Sequence, residues 1–229
     1  SNFIETEGFT RINIKLTTDT ETEINSQSSK VNRTNILDFF SSLDELTSED
    51  TVFLSGNIIP GMEDDDFVHI AKKVKEQGAN LVVDSNKDMV LHTLKYHPFI
   101  VKPNEFELGE MFDVHLQSLE DIAIYAKKLQ EMGAQNVLVS RGSKGAILFT
   151  HSGEIFSANI AKGKVVSTIA AGDSMLAMFV AKYDETKDFP LSLQYASAAG
   201  GATSFSAGVG KQELINELLV QINVEKISL

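Results

Sequence analysis

The stretch from Thr51 to Asp84, TVFLSGNIIPGMEDDDFVHIAKKVKEQGANLVVD, decides the fold. It opens on a short apolar run closed by Gly56 and passes through an amphipathic segment from Asp64 to Gln77. It then returns to a second apolar run, Asn80-Leu81-Val82-Val83-Asp84. Two short apolar runs separated by a helix-length amphipathic segment make a βαβ unit, and with it a parallel pairing. The pattern recurs downstream. Helix-like Lys87 to Tyr96 leads into Pro98-Phe99-Ile100-Val101-Lys102, and Ser118-Leu119-Glu120-Asp121 has capping-box spacing. The helix it opens runs to about Met132, where Gly133 stops it. Asn136 to Ser140 and Ala146 to Thr150 read as strands joined by a Gly-rich turn, and helical patterns follow over Ala171 to Tyr183, Pro190 to Ser206 and Lys211 to Gln221. The expectation is an α/β fold: a doubly wound, mainly parallel sheet in a single domain over residues 1–229, with the α/β core over about 34–229.

The start of the chain has a different period. Thr10-Arg11-Ile12-Asn13-Ile14-Lys15-Leu16 alternates polar and apolar, and Glu21 to Asn25 alternates again. Period-2 alternation marks strands with one wet face. A small antiparallel β flap, or lid, is expected over about residues 8–26, joined to the core by the polar stretch Ser26 to Arg33.

Composition narrows the function classes. The chain has 229 residues, 42% of them hydrophobic and 23% charged, and a mean hydropathy of -0.05, which fits a core-forming globule. Cysteine is absent, which removes disulfides, thiolate nucleophiles and Cys-based metal sites. No apolar run approaches the roughly 18 residues of a membrane span. Twenty Lys and Arg against 32 Asp and Glu leave a net charge of -12, which speaks against nucleic-acid or anionic-membrane partners. A cytoplasmic location is the expectation.

Three motifs can carry chemistry. In Ser167-Thr168-Ile169-Ala170-Ala171-Gly172-Asp173-Ser174, small residues precede an apolar helix, so that backbone N–H groups and the positive helix end face outward. Asp173 in that turn either caps the helix or accepts a proton from a hydroxyl that attacks a phosphoryl group. Val139-Ser140-Arg141-Gly142-Ser143-Lys144-Gly145 sits between two strands, with glycines three apart. It suits close approach of a nucleotide phosphate, or simply a hairpin turn. Lys102-Pro103-Asn104-Glu105-Phe106-Glu107 leaves a strand and enters a helix. Asn104 and Glu107 have capping-box spacing and are also hard-oxygen groups suited to Mg²⁺ and its waters. All three motifs are read as following strand carboxyl ends, the edge where open α/β sheets bind ligands. Arg11 on the flap is either a cation for a substrate phosphate or a solvated surface charge, and Ala198 to Ala202 is small enough for tight helix packing, with room for an adenine against it. The five His residues show no ligand spacing, and Glu63-Asp64-Asp65-Asp66 reads as an acidic helix start.

These residues resemble the ribokinase-type (PfkB) carbohydrate kinases. Ala170-Ala171-Gly172-Asp173 is similar to the G-A-G-D signature, residues 139–145 to the nucleotide loop, and Pro103 to Glu107 to the P-N-x-x-E motif. Segments 10–16, 23–25 and 107–112 are most like the 1-phosphofructokinase branch, with tagatose-6-phosphate kinases as near neighbours. The resemblance implies a ribokinase-like fold with a β lid, ATP and Mg²⁺ as cosubstrates, and phosphoryl transfer to a hydroxyl of a phosphorylated ketohexose, fructose 1-phosphate first. It makes Asp173 the catalytic base and the N–H groups of Ala170, Ala171 and Gly172 an anion hole. Ser140, Arg141, Gly142, Ser143, Lys144, Gly145, Asn104, Ala199 and Gly200 would hold ATP, with Asn104 and Glu107 supplying the magnesium environment. Arg11, Asn13, Asn57 and Asp173 would bind the sugar phosphate, and lid strands invite pairing of two copies.

Three departures stand out. Ala170 occupies the first Gly position of the signature, Asn57 stands where the family usually has Ser, and the family's amino-terminal segment has no counterpart in these residues. The chain therefore reads as an incomplete copy of the family pattern, and a non-catalytic nucleotide- or sugar-phosphate-binding relative is the alternative.

Overall fold

The structure is a computed structural model that describes residues 3–17, 21–56 and 58–229. The chain divides into two compact units, Ser1–Tyr96 and His97–Leu229.

The first unit begins with the flap. Strands β1 (Asn13–Thr17) and β2 (Glu21–Asn25) pair antiparallel, with Ile14 opposite Ile24 and Leu16 opposite Thr22. Ile14, Leu16 and Ile24 are about half exposed, so the flap's apolar face stays open within its unit. Helix α1 (Arg33–Ser42) follows, opened by a reciprocal Asn32–Asn35 cap. Next come β3 (Thr51–Gly56), α2 (Asp64–Glu76), β4 (Asn80–Ser85) and α3 (Lys87–Thr93). Helix α2 buries Phe67, Ile70, Ala71 and Val74, an i, i+3, i+4, i+7 stripe that explains why an otherwise charged segment is a helix. Strand β4 buries Leu81, Val82 and Val83 in succession, as a strand covered on both faces does, and pairs parallel with β3. At the start of α2, Glu63 and Asp66 form a capping box, and Asp66 also receives the Arg33 guanidinium at 2.5 Å.

The second unit contains β5 (Ile100–Val101), α4 (Glu105–Met111), α5 (Leu119–Glu131), β6 (Asn136–Ser140), β7 (Ala146–Phe149), β8 (Ile155–Ala158), α6 (Ala171–Thr186), α7 (Phe189–Ser204), α8 (Gln212–Leu219) and β9 (Val224–Ile227). Its strands lie in the order β5-β6-β7-β8-β9. The parallel expectation holds for β3–β4 and β5–β6, whereas β6 to β9 are antiparallel. For β6–β7 and β7–β8 the cause is connection length. Residues 141–145 are too few for a parallel crossover, which needs about a dozen residues. Helix α5 buries Ile122, Ala123, Ala126 and Leu129, and β6 and β7 bury nearly every side chain. Helices α6 and α7 approach closely at Gly200, where a Cβ would lie 3.3 Å from the Ala171 carbonyl oxygen. Among the described residues no helix is long and apolar enough to cross a membrane.

Candidate active site

The first motif enters from an unexpected direction. Strand β8 ends at Ala158, and residues 159–170 form an irregular segment before α6, so this motif leaves a coil rather than a strand end. Val166 and Ser167 N–H groups donate to the Ser204 carbonyl oxygen, at 2.8 and 3.2 Å, and fasten that coil to α7. Ala170 is the N-cap residue of α6 and sits in the left-handed region, φ 60° and ψ 9°, with no side-chain cap. The signature position that usually holds Gly therefore does need positive φ here, and Ala170 adopts it at a conformational cost. The Ala171 N–H donates to the Thr168 carbonyl oxygen at 3.3 Å, and the Ser174 N–H to Ala170 at 2.9 Å. Gly172 and Asp173 occupy the first turn, where N–H groups have no partner within the helix. The Asp173 side chain is exposed. Beside Gly172 lies a cation that sequence reading did not single out. Lys102 is 8% exposed, and its Nζ would stand 3.1 Å from a Cβ at residue 172. A lysine directly after the buried pair Ile100 and Val101 was the available signal.

The second and third motifs are bound to each other. The Ser140 N–H donates to the Pro103 carbonyl oxygen at 3.1 Å, and Asn104 and Ser140 form a parallel bridge. Asn104 and Glu107 make the reciprocal cap: Asn104 Oδ1 accepts from the Glu107 N–H at 2.8 Å and Glu107 Oε2 accepts from the Asn104 N–H at 2.7 Å. That leaves Glu107 Oε1 and Asn104 Nδ2 outside the cap. Between them, Glu105 reaches the loop. Its Oε1 accepts from Arg141 Nε at 2.7 Å, and its Oε2 from Lys144 Nζ at 3.3 Å. Burial pushes the Glu105 carboxyl up, but the hydrogen bonds and charges of Arg141 and Lys144 outweigh it and hold the group below the usual carboxylate range. The loop itself is a short turn, with Gly142 at φ +55° in open space and Gly145 at φ +89°. A Cβ on Gly145 would fall 2.0 Å from the Ala158 carbonyl oxygen, so only glycine fits there.

These elements share one cavity of about 500 Å³ within the second unit. Asn104, Ser140, Gly142, Ser143 and Gly145 line one part, and Ala171, Gly172 and Gly200 another. The walls away from the Gly turn are largely apolar, with Ile160, Ala161, Val165, Met175 and Phe205 beside Thr168 and Ser204. Ser197 also lines it, and its hydroxyl is the buried side-chain polar atom without a hydrogen-bond partner among the described residues. Its helix neighbours Ser192 and Ser204 both donate to the carbonyl four residues back. Arg141, Lys144, Glu107, Ala170, Asp173 and Ala199 are not among the cavity's lining residues. In the first unit, Arg11 Nε donates to Asn13 Oδ1 at 2.9 Å on the exposed flap. Asn57 lies outside the described residues. Among the described residues no group of three or more His, Asp or Glu could hold a metal ion by itself.

The sequence profile of the pfkB family of carbohydrate kinases matches residues 1–214. The chain is 37% identical to the 1-phosphofructokinase of Bacillus subtilis over 225 residues, covering 98% of this chain and 74% of the relative. It is 34% identical to the D-tagatose-1-phosphate kinase of Bacillus licheniformis, with the same coverage. Among solved structures, a putative phosphofructokinase from Staphylococcus aureus superposes with a TM-score of 0.87 at 35% identity, over 99% of this chain and 74% of that one.

Proposed function

We propose that this chain, which belongs to the pfkB family of carbohydrate kinases, transfers the γ-phosphoryl of ATP to a free hydroxyl of a phosphorylated ketohexose, converting fructose 1-phosphate to fructose 1,6-bisphosphate. It is a phosphotransferase with an alcohol group as acceptor. The observation that carries the reading is the cavity lined jointly by the Gly142–Gly145 turn, Asn104 and the start of α6. A nucleotide needs all three kinds of surface: open backbone for its phosphates, a helix start for the group in transfer, and apolar walls for its base.

The chain's residues divide the work. N–H groups at the start of α6 face the transferring phosphoryl, and Lys102 Nζ beside Gly172 adds a fixed positive charge. Asp173 takes the proton of the attacking hydroxyl. A carboxylate suffices for this role because a loose transition state releases that proton late. Magnesium carried on the nucleotide would neutralise charge on the β- and γ-phosphate oxygens. Glu107 Oε1, left over from the cap, is a hard-oxygen donor that fits that ion or its waters, and Asn104, whose Oδ1 is engaged in the cap, would serve the ion's surroundings through its Nδ2 group. Arg11 and Asn13 would hold the sugar phosphate. We place the reaction in the cytoplasm, and pair two copies through the flap face of Ile14, Leu16 and Ile24.

The test is coupled ADP release with ATP and, in turn, fructose 1-phosphate, tagatose 1-phosphate and tagatose 6-phosphate, beside calorimetry with ATP. Fastest release with fructose 1-phosphate is expected. ATP binding without release from any of the three would replace the kinase with a binding protein, and absence of ATP binding would remove the nucleotide site.

A further inference from the structure

We propose that Glu105 is the positioning residue of the nucleotide loop: its carboxylate holds Arg141 and Lys144, the two residues that flank the Gly142–Ser143 turn, against the segment that carries Asn104 and Glu107. The inference rests on the cavity being a nucleotide site and goes beyond it by assigning a residue at an unspecified position of the family motif.

The geometry is that of a brace. One carboxylate spans both ends of the turn, Oε1 to Arg141 at 2.7 Å and Oε2 to Lys144 at 3.3 Å. The two arms differ in weight. Arg141 is 14% exposed and Glu105 29%, so their charge-assisted bond is largely shielded from water. Lys144 is 64% exposed, and exposed pairs contribute little. Arg141 is thus the arm that matters. The backbone completes the frame: the Arg141 N–H donates to Gly145 O at 2.8 Å, Lys144 N–H to Arg141 O at 3.0 Å, and Ser140 N–H to Pro103 O at 3.1 Å. Gly142 and Gly145 give this turn the freedom to take other shapes, and the Glu105 brace selects the one that opens onto the cavity. Arg141 and Lys144 then act as anchors of the loop, and open backbone, rather than these cations, meets the nucleotide.

Electrostatics alone predicts the opposite behaviour, which makes the inference testable by sign. A carboxylate near a bound polyphosphate repels it, so removing the charge should tighten ATP binding if Glu105 were a bystander. If Glu105 positions the loop, removing it loosens ATP. A loop that holds ATP equally in the ground and transition states changes KM and spares kcat.

The experiment compares wild type, Glu105→Gln, Arg141→Gln and the double variant by calorimetry with ATP, melting temperature and steady-state kinetics with fructose 1-phosphate. Glu105→Gln is expected to weaken ATP binding and raise its KM by about 5- to 20-fold, with kcat and the KM for fructose 1-phosphate within about twofold. Arg141→Gln should reproduce the loss, and the double variant should be no worse than Arg141→Gln, because both act through one bond. The reversed pair Glu105→Arg with Arg141→Glu should recover part of the affinity, and it carries the test if a single variant fails to fold. Equal or tighter ATP binding by Glu105→Gln overturns the inference, as do additive losses or a fall in kcat at constant KM. If wild type binds ATP and Glu105→Gln binds it as tightly or more so, only the Glu105 assignment is wrong; if wild type binds none, the nucleotide reading falls first and this inference with it.

Discussion

Replacing Ala170 with Gly should stabilise the protein, against the usual direction of Ala-to-Gly changes in and around helices. Ala170 holds φ 60° and ψ 9° as the N-cap of α6, with no side chain capping the helix. An L-residue with a Cβ pays about 1–2 kcal/mol in that region, and glycine pays nothing there. Against this, Gly adds about 0.5–1 kcal/mol of unfolded-state entropy. The balance favours Ala170→Gly by about 0.5–1 kcal/mol, or roughly 1–4 °C in melting temperature for a chain of this size. Ala181 supplies the control. It is an exposed residue well inside the same helix, where Ala181→Gly should cost about 1 kcal/mol of helix propensity. Thermal and urea unfolding of the two variants beside wild type would measure the difference in sign. Destabilisation of Ala170→Gly by as much as Ala181→Gly would show that residue 170 does not occupy the left-handed region, and would refute the account of this turn.

Three further outcomes follow from other parts of the molecule. If Asp173 is the base proposed above, Asp173→Asn should lower turnover by about 10²–10⁴ with ATP affinity by calorimetry little changed; wild-type turnover would remove it as the base. Gly145→Ala should destabilise severely, by more than about 3 kcal/mol, whereas Gly142→Ala should cost only about 1–2 kcal/mol. A Cβ at 145 strikes the Ala158 carbonyl and one at 142 meets nothing, so equal unfolding midpoints for the two variants would contradict the loop geometry. Acid sensitivity should include Asp66. Burial raises its pKa, but the Glu63 N–H and the Arg33 guanidinium more than offset that and leave it below the ordinary range. A depressed folded-state pKa stabilises above the unfolded value and is lost as pH falls through the folded one. Stability should therefore drop below about pH 4, and Asp66→Asn should flatten that part of the pH profile; an unchanged profile would deny the pair its role.

What the sequence revealed of this molecule followed the range over which its signals act. Helices α2 and α5 were legible because a repeating apolar stripe and a cap lie within a few residues of each other. Strand β4 was legible because three successive buried apolar residues read as a doubly covered strand. Helix α1 was not anticipated, since its cap is an Asn32–Asn35 pair rather than the Ser/Thr–Glu pattern. Strand β9 has only four residues and two of them are charged, so no run announced it. The three motifs were readable as residue types, and Ala170 stood out because it replaces a glycine, though its left-handed φ shows only in the fold. The irregular path of residues 159–170 was not readable: its wall of the cavity depends on Val166 and Ser167 bonding to Ser204, far along the chain. Glu105 escaped for the same reason. Its partners lie 36 and 39 residues away, beyond any local pattern, and as the unspecified position of P-N-x-x-E it carried no expectation.

The net charge of -12 poses a question that the site answers. Two anionic substrates would meet an acidic protein, and long-range attraction is therefore not what brings them in. Screening confines exposed charges to about 8 Å at physiological ionic strength, so acidic groups on distant surfaces act weakly on the cavity. Close to it the inventory is different. Lys102 is a buried cation against Gly172, and the positive end of α6 faces the same place. Arg141 and Lys144 bring two more positive charges, but Glu105 takes both, leaving the turn's backbone as the surface offered to phosphate. On the proposed reading, a site made this way would bind polyphosphate through fixed dipoles held at defined positions. Its affinity then depends on how well those dipoles are held, and so a carboxylate beside the phosphates can strengthen binding, through the turn it braces, more than its own charge weakens it.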